Sequence, residues 1–149
     1  MSSLRVLVQR EDIDVGAELA HLESLGGGGI ASFTGVVRGE GGMEMLELEH
    51  HPGMTEQVMR GIAEQAAERW SLAGVTVIHR YGKLGAGERI VLTATAARHR
   101  HAALEACAYL IDWLKTEAPF WKKEHFADGR SAWVEARTSD TAATDRWRI

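Results

Sequence analysis

Cysteine, proline and long apolar runs are scarce in this sequence, and each scarcity excludes a class of protein. The 149 residues include one cysteine, Cys107, so neither an intrachain disulfide nor a multi-cysteine metal site can form. This cysteine usage is typical of a cytoplasmic protein. No run of 18 apolar residues occurs, so we expect no transmembrane helix. The N-terminal segment also lacks the apolar run of a signal peptide.

An excess of positive charge is also missing. Lysine and arginine total 17 against 21 aspartates and glutamates, which leaves a formal net charge of −4. This balance argues against a general nucleic-acid or anionic-membrane binder, although it is compatible with a local basic pocket. Apolar residues make up 45% of the chain, enough for a core, so we predict one domain over residues 1–149 with a polar tail at about 138–149.

The hydrophobic pattern alternates between strand and helix signals. Strands are predicted at 4–8, 30–38, 45–50, 75–82, 89–97 and 131–136, and helices at 14–25, 56–70 and 101–117. Asp14 and Thr55 are predicted N-caps, and Pro119 ends the third helix. The glycine-rich segments at 26–29 and 82–88 are interpreted as turns, since neither ends in the Gly-Lys-Ser/Thr of a phosphate loop. The pattern predicts an α+β fold, in which three helices pack on a mixed, mostly antiparallel sheet.

Lysines surround two large aromatics in LKTEAPFWKKEHF, residues 114–126. Lys115 has two interpretations. It complements the dipole at a helix C-terminus, or it lies beside Phe120 and Trp121, where partial burial would lower its pKa toward roughly 7–8 and suit it to proton transfer. Lys122 and Lys123 are either solvated charges or an anion clamp held by the aromatics.

Further cations border the predicted elements. His99 and Arg100 lie near the start of the third helix, where backbone N–H groups favour an anion, or they form a basic loop that only bounds the helix. Arg38 ends a strand and is either a phosphate or carboxylate ligand or a surface residue. Metal binding through His99 and His101 is a third alternative, which lacks supporting ligands at suitable spacing.

The remaining candidate residues are interpreted as structural. Cys107 lies on the apolar stripe of the third helix and is expected to be an inert core thiol. His50 and His51 are expected to play a structural role at the end of a strand. Together these observations suggest an anion-binding cleft lined by Arg38, His99, Arg100, Lys115 and Lys122.

The motifs, taken together and in order, resemble the large, catalytic subunit of molybdopterin synthase. The matching segments are FTGVVRG (33–39), LELEHHPGM (46–54), RW (69–70), VTVIHRYGKLGAGE (75–88), HR (99–100), LKTEAPFWKKE (114–124) and WVEAR (133–137). They cover nearly the whole chain. The resemblance implies an α/β hammerhead-type fold with an added α+β part.

The resemblance also implies a reaction, a sulfurtransferase step of molybdenum cofactor biosynthesis. The family converts a cyclic pyranopterin monophosphate into molybdopterin, whose dithiolene receives sulfur from the thiocarboxylated Gly-Gly C-terminus of a small ubiquitin-like partner. It assembles as a heterotetramer around a homodimer of large subunits. No resident metal or cofactor, nucleic acid or membrane is implied. The alternative is a non-catalytic module that binds an anion or a partner.

Site roles follow from the same resemblance, residue by residue. Lys115 and Lys122 match active-site lysines and are the expected catalytic residues. The residues expected to hold the pterin and its phosphate are Val36, Val37, Arg38, His99, Arg100, Lys115, Lys122, Lys123 and Glu124. The substrate and the sulfur donor are both anions, so a site that collects cations suits the reaction, and an ammonium group can stabilise the oxyanion of a thioester-like intermediate.

Overall fold

The strands and helices of the computed structural model lie within residues 2–134 and 138–148, the part of the chain that the structure describes. The strands are β1 (Ser3–Gln9), β2 (Gly29–Val36), β3 (Met43–His50), β4 (Gly74–Arg80), β5 (Gly82–Gly85), β6 (Arg89–Ala97), β7 (Phe120–Phe126) and β8 (Ser131–Val134). The helices are α1 (Val15–Glu23), α2 (Met54–Trp70), α3 (Arg100–Glu117) and α4 (Thr138–Asp145).

The first sheet has the strand order β1-β4-β6-β2. β1 is parallel to β4, whereas β6 is antiparallel to both β4 and β2. Every residue of β4 is buried, because α2 and α3 cover one face of the sheet and α1 covers the other. Burial on both faces explains why the sequences of β4 and β6 consist mostly of β-branched and small apolar residues, without polar residues at every second position.

The second sheet, of order β5-β3-β7-β8, is antiparallel throughout. Leu46, Leu48 and Leu84 form its buried face together with Val37 and Met43. The chain passes from the first sheet to the second within two residues after β4, at Tyr81 and Gly82. Gly82 has a φ of +97°, a conformation that a residue with a side chain adopts only at a cost.

The helix boundaries follow the sequence signals with one exception. Asp14 caps α1, as predicted, by accepting a hydrogen bond from the Ala17 N–H at 3.0 Å. α3 ends at Glu117, two residues before Pro119, also as predicted. The prediction that Thr55 caps α2 is wrong, since the cap is Gly53 and the Thr55 side chain is used elsewhere.

The α+β class and the mostly antiparallel pairing are confirmed, but several details of the prediction are wrong. The described residues contain four helices, because α4 forms in the predicted polar tail, and two sheets where one was expected. The predicted turn at 82–88 contains β5, and residues 120–126, predicted to follow the third helix without regular structure, form β7. The last predicted strand is observed over Ser131–Val134, and residues 135–136 lie outside the described residues.

Candidate active site

The ends of several elements meet where the first sheet gives way to the second. β3 ends at His50, β4 ends one residue after His79, α3 ends two residues after Lys115, and β7 begins at Phe120. The Phe120 ring stacks on His79, with centroids 3.7 Å apart and planes 17° apart, and its centroid lies 6.4 Å from that of His50. We name this group, together with Lys122, the junction cluster: His50, His79, Lys115, Phe120 and Lys122.

His79 is a buried, neutral imidazole at the base of the junction cluster. Its Nδ1 lies 2.8 Å from the Arg80 carbonyl oxygen, so Nδ1 carries the hydrogen and donates it. Burial, with a further contribution from the positive charges of Lys122 and Lys115, lowers the pKa of His79 from 6.5 to about 3. The ring therefore stays uncharged at neutral pH and leaves both lysines without a third positive charge beside them.

An aromatic stack lies next to the junction cluster. His50 packs against Tyr81 with ring centroids 4.2 Å apart, and the Arg10 guanidinium lies 4.9 Å from the Tyr81 centroid. Arg10 is held in place because its backbone carbonyl accepts two hydrogen bonds from the buried Arg80 guanidinium, at 3.0 and 2.8 Å. A cavity of about 540 Å³ opens beside the stack, lined by Arg10, Glu47, Leu48, Glu49, His50, Tyr81, Gly82 and Lys83.

The structure brings both predicted catalytic lysines to the junction cluster. Lys122 is half-buried on β7, opposite Leu48 of β3 and two residues from Phe120. Lys115 lies in the last turn of α3 with an exposed side chain, so the partial burial expected from the sequence is absent in the single chain. Both ammonium groups are near enough to His79 to act on its pKa.

The two predicted residues after Lys122 point to opposite faces of β7, because side chains alternate along a strand. The Lys123 ammonium lies 5.3 Å from the Trp133 ring centroid, on the face where His125 pairs with Glu47 at 2.9 Å. Glu124 lies opposite Leu46, on the same face as Lys122. The sheet therefore places Glu124, rather than Lys123, on the side of the junction cluster.

The segment Val36–Arg38 leaves β2 beside the turn before β6. Val37 is buried in the core of the second sheet, its N–H donates to the Glu88 carbonyl oxygen, and its own carbonyl accepts from the Gly87 N–H. Contrary to the expectation, the Val37 side chain is not available to a substrate. Val36 and Arg38 are exposed, and the Arg38 guanidinium lies 3.7 Å from the Glu40 carboxylate.

His99 and Arg100 are separated from the two lysines by the length of α3. His99 is the N-cap of this helix, and the start of α3 packs so tightly on Gly29 that a Cβ there would lie 3.2 Å from Arg100 Cα. Lys115 follows Arg100 by 15 residues in the same helix, which corresponds to about 22 Å along the axis. A single chain therefore does not assemble the cleft that the sequence suggested.

Comparison with known proteins decides the family. The sequence model of the family described as "MoaE protein" matches residues 8–117. The chain belongs to the MoaE family. A curated relative from Mesorhizobium japonicum, named molybdopterin synthase catalytic subunit, is 52% identical over 147 residues, which cover 96% of this chain and 92% of the relative.

Solved structures of the MoaE family have the same fold as this chain. A MoaE protein of molybdopterin biosynthesis from Burkholderia ambifaria superposes with a TM-score of 0.84 at 43% identity, covering 100% of this chain and 99% of the other. A Helicobacter pylori structure, described as a complex of subunits 1 and 2 of molybdopterin-converting factor, shares the fold with a TM-score of 0.76. It is 19% identical in sequence, and the match covers 90% of this chain and 91% of the other. The expectation that the chain has the α+β fold of the molybdopterin synthase large subunit is thus confirmed.

The described part of the chain holds neither a candidate site for a metal ion nor a membrane-spanning helix. Within residues 2–134 and 138–148, no three side chains of the His, Cys, Asp and Glu types are grouped so that they could hold a metal ion. In the same ranges, no helix is long and apolar enough to cross a membrane. Cys107 is buried against Thr93, and burial raises the pKa of its thiol, which agrees with the expectation of an inert core residue.

Sequence reasoning missed His79, Tyr81 and Arg10, and it assigned His50 a structural role. His79 lies in an otherwise apolar central strand, where a histidine is usually a satisfied core residue, and its stack with Phe120 joins residues far apart in sequence. The available signal was a pairing of motifs: VIHRYG and EHHPGM each place a histidine at the end of a strand, and both strands end near the PFW segment.

The buried Thr55 hydroxyl links the EHHPGM segment to the APFW segment through two hydrogen bonds. Thr55 accepts a hydrogen bond from the His51 N–H and donates one to the Pro119 carbonyl oxygen, both at 2.9 Å, and it is fully buried. Thr55→Val leaves both backbone groups without a partner and should lower the free energy of unfolding by about 1–3 kcal/mol, measured by urea denaturation. Thr55→Ser keeps the hydroxyl and should retain most of that stability. An equal loss in both variants would contradict this role.

The neutral state of His79 should make the stability of the protein depend on pH. The pKa of this group is about 3 in the folded chain and near 6.5 in the unfolded chain. Below pH 6.5 the unfolded chain therefore binds a proton that the folded chain does not. Stability falls as pH decreases through this window, by on the order of 1–2 kcal/mol between pH 6.5 and 5 from this one group.

Urea denaturation at several pH values checks this expectation. His79→Phe keeps the stack on Phe120 and removes the titrating group, so its unfolding free energy should vary less between pH 6.5 and 5 than that of the native chain. His51→Gln, a change at an exposed histidine, should leave the native dependence in place. The same slope in His79→Phe and the native chain would show that another group is responsible.

Proposed function

We propose that this chain is the catalytic subunit of a molybdopterin synthase. It transfers sulfur from the thiocarboxylated Gly-Gly C-terminus of a small ubiquitin-like partner to cyclic pyranopterin monophosphate, and so forms the dithiolene of molybdopterin. Residues 1–149 act as one domain, in the cytoplasm. The observation that carries the proposal is the junction cluster in a chain of the MoaE family. This cluster holds Lys115 and Lys122 around the neutral His79 and lies beside a cavity.

The charges of the junction cluster suit this reaction. Both the thiocarboxylate and the pterin phosphate are anions, and they need cations to approach each other. The attack on a carbonyl carbon produces an oxyanion, which a positioned ammonium group stabilises. Phe120 fixes the start of β7 through its stack on His79 and thereby holds Lys122, two residues later, in one position.

The sulfur comes from the partner rather than from this chain. Cys107 is buried inside α3 and packs against β6, away from the junction cluster. A partner that carries its own sulfur on a flexible Gly-Gly tail needs only a cavity open to solvent, and the cavity beside His50 and Tyr81 is of this kind. The family's two-subunit organisation, seen in the name of the H. pylori complex, supports the proposal of such a partner.

A second copy of the chain completes the cation set. Arg100 and Lys115 of one chain are about 22 Å apart along α3, too far to hold one small substrate. Exposed apolar side chains lie near the start of α3 and on the edge strand β2: Leu104 is 59% exposed and Phe33 is 42% exposed. In a two-fold dimer that covers this surface, His99 and Arg100 of one copy approach the junction cluster of the other.

A reconstituted assay tests the proposed function. The native chain is mixed with cyclic pyranopterin monophosphate and with a small subunit whose C-terminus is either a thiocarboxylate or an ordinary carboxylate. Dithiolene product should form only with the thiocarboxylate. A chain that binds the small subunit but yields no product with either form would be a non-catalytic partner-binding module, and the proposed enzymatic function would be wrong.

A further inference from the structure

His50 occupies a position that the sulfur-transfer chemistry described above does not use. Its imidazole is half-buried at the end of β3 and lines the cavity beside the aromatic stack. One side of the ring packs on Tyr81. Across residues 2–134 and 138–148, no protein group hydrogen-bonds to either of its ring nitrogens. An imidazole that lines a cavity, is oriented by packing and has ring nitrogens without a hydrogen bond to the described residues can exchange protons with a bound molecule.

The strand register places His50 next to Lys122. His50 pairs with Phe120 across β3 and β7, and Leu48 pairs with Lys122. His50 and Lys122 are therefore diagonal neighbours on one face of the sheet, about 7–8 Å apart at the backbone, within reach of long side chains. A molecule held by the Lys122 ammonium can thus touch the His50 ring at the same time.

The groups around His50 favour its neutral form. Burial lowers the pKa of His50 below 6.5, and the positive charge of Arg10 and the neighbouring His51 lower it further. The other ionisable groups that face it are Tyr81, from the connection after β4, His79 from β4 and Lys122 from β7. Glu47 and Glu49 line the same cavity from β3. At neutral pH, His50 is able to accept a proton.

We propose that His50 is the general base that activates water to release the partner's C-terminal glycine from its thioester with the substrate. The inference rests on the proposed function, in which sulfur transfer joins the partner to the substrate through sulfur. A water molecule gives one proton to the His50 imidazole, and its oxygen forms a bond to the thioester carbonyl carbon. The carbonyl electron pair moves onto its oxygen, which the Lys122 ammonium stabilises.

Collapse of this intermediate completes the step. The carbon–sulfur bond breaks, and its electron pair leaves with the sulfur, which stays on the substrate as a thiolate. The partner is released as a carboxylic acid that loses its proton to solvent, and the imidazolium returns its proton to solvent. Nothing is oxidised or reduced. The partner leaves without its sulfur, and the site is free for a second thiocarboxylate.

Other members of the junction cluster are less suited to this role. An ammonium group offers three donors and no acceptor, so Lys115 and Lys122 stabilise the oxyanion but do not remove a proton from water while charged. His79 is buried and its Nδ1 is engaged by the Arg80 carbonyl oxygen. His50 combines a place on the cavity wall with surroundings that favour the neutral ring, and it is a diagonal neighbour of Lys122.

The test is a single-turnover reaction of the native chain and of His50→Gln with thiocarboxylated partner and cyclic pyranopterin monophosphate, followed by intact mass spectrometry. In His50→Gln the covalent partner–substrate conjugate should form and accumulate, because its hydrolysis slows by about 10²-fold or more. His21→Gln, a change at an exposed histidine of α1, should behave like the native chain. Added imidazole should restore hydrolysis in His50→Ala, which a purely structural role would not allow.

His50→Asn provides a second variant whose smaller amide fits the same space, and circular dichroism checks that each variant folds. Conjugate hydrolysis at the native rate in folded His50→Gln or His50→Asn would overturn the inference while leaving the sulfurtransferase function intact. Loss of product without any conjugate would also overturn it, because His50 would then act before the thioester forms. If the native chain forms neither conjugate nor product, both the inference and the proposed function are wrong.

Discussion

Lys122→Met should lower the rate of sulfur transfer about 10²–10³-fold, the loss expected when one stabilising group for an oxyanion is removed. The methionine side chain has nearly the same length and can occupy the same space on β7, so the change removes mainly the ammonium group. Because that group acts on a charge that develops during the reaction, kcat should fall more than the affinity for the partner. Steady-state kinetics with the thiocarboxylated small subunit measures both quantities.

Two controls separate this effect from a loss of structure. Lys122→Arg keeps a positive charge and should be less impaired than Lys122→Met, although its planar guanidinium does not reproduce the geometry of an ammonium. Arg60→Ala changes an exposed residue of α2 outside the junction cluster and should be as active as the native chain. A Lys122→Met variant with native kcat would remove Lys122 from the chemistry.

Two inactive variants should restore activity to each other if the site combines residues of two copies. Lys115→Ala damages the junction cluster, and Arg100→Ala damages the cations at the other end of α3. When the two variants are unfolded and refolded together in equal amounts, half of the dimers contain one chain of each kind. Each mixed dimer has two sites, of which one has both residues intact and the other has neither. Because half of the dimers are mixed, about a quarter of all sites are intact, and the mixture should recover about a quarter of the native activity.

The matched control mixes Lys115→Ala with Lys122→Met. These two residues belong to the junction cluster of the same chain, so no mixed dimer contains an intact site, and the mixture should stay inactive. Recovery in the control as well would indicate that the variants are not truly defective. If neither mixture recovers activity, Arg100 of one copy and Lys115 of the other do not act in the same site, and the proposal of a shared site is contradicted.

The parts of the fold that local signals govern could be predicted, and the parts that depend on long-range pairing could not. Asp14 and Pro119 mark the start of α1 and the end of α3 through their own backbone chemistry. β7 has no such signal, because Phe120–Phe126 carries charges on both faces of the strand. It is stabilised by cross-strand partners, among them Glu47 of β3, which pairs with His125 from 78 residues away in sequence.

The candidate site shows the same division. Lys115 and Lys122 could be identified because they flank the PFW segment and match a family motif. The roles of His50 and His79 could not, because each depends on which ring packs against it, and those contacts arise only when β3, β4 and β7 converge. The separation of Arg100 from Lys115 follows from the length of α3, and the helix predicted over residues 101–117 already implied it, so the single cleft suggested from the sequence was inconsistent with that helix.

The most direct test of the central claim, sulfur transfer by this chain, follows the sulfur atoms themselves. The small subunit is prepared with a heavy sulfur isotope in its thiocarboxylate and incubated with cyclic pyranopterin monophosphate and the native chain, and the pterin is analysed by mass spectrometry. The account predicts a product that contains two heavy sulfur atoms, formed by the native chain and strongly reduced with Lys122→Met. A pterin without heavy sulfur, despite binding of the labelled partner, would contradict it.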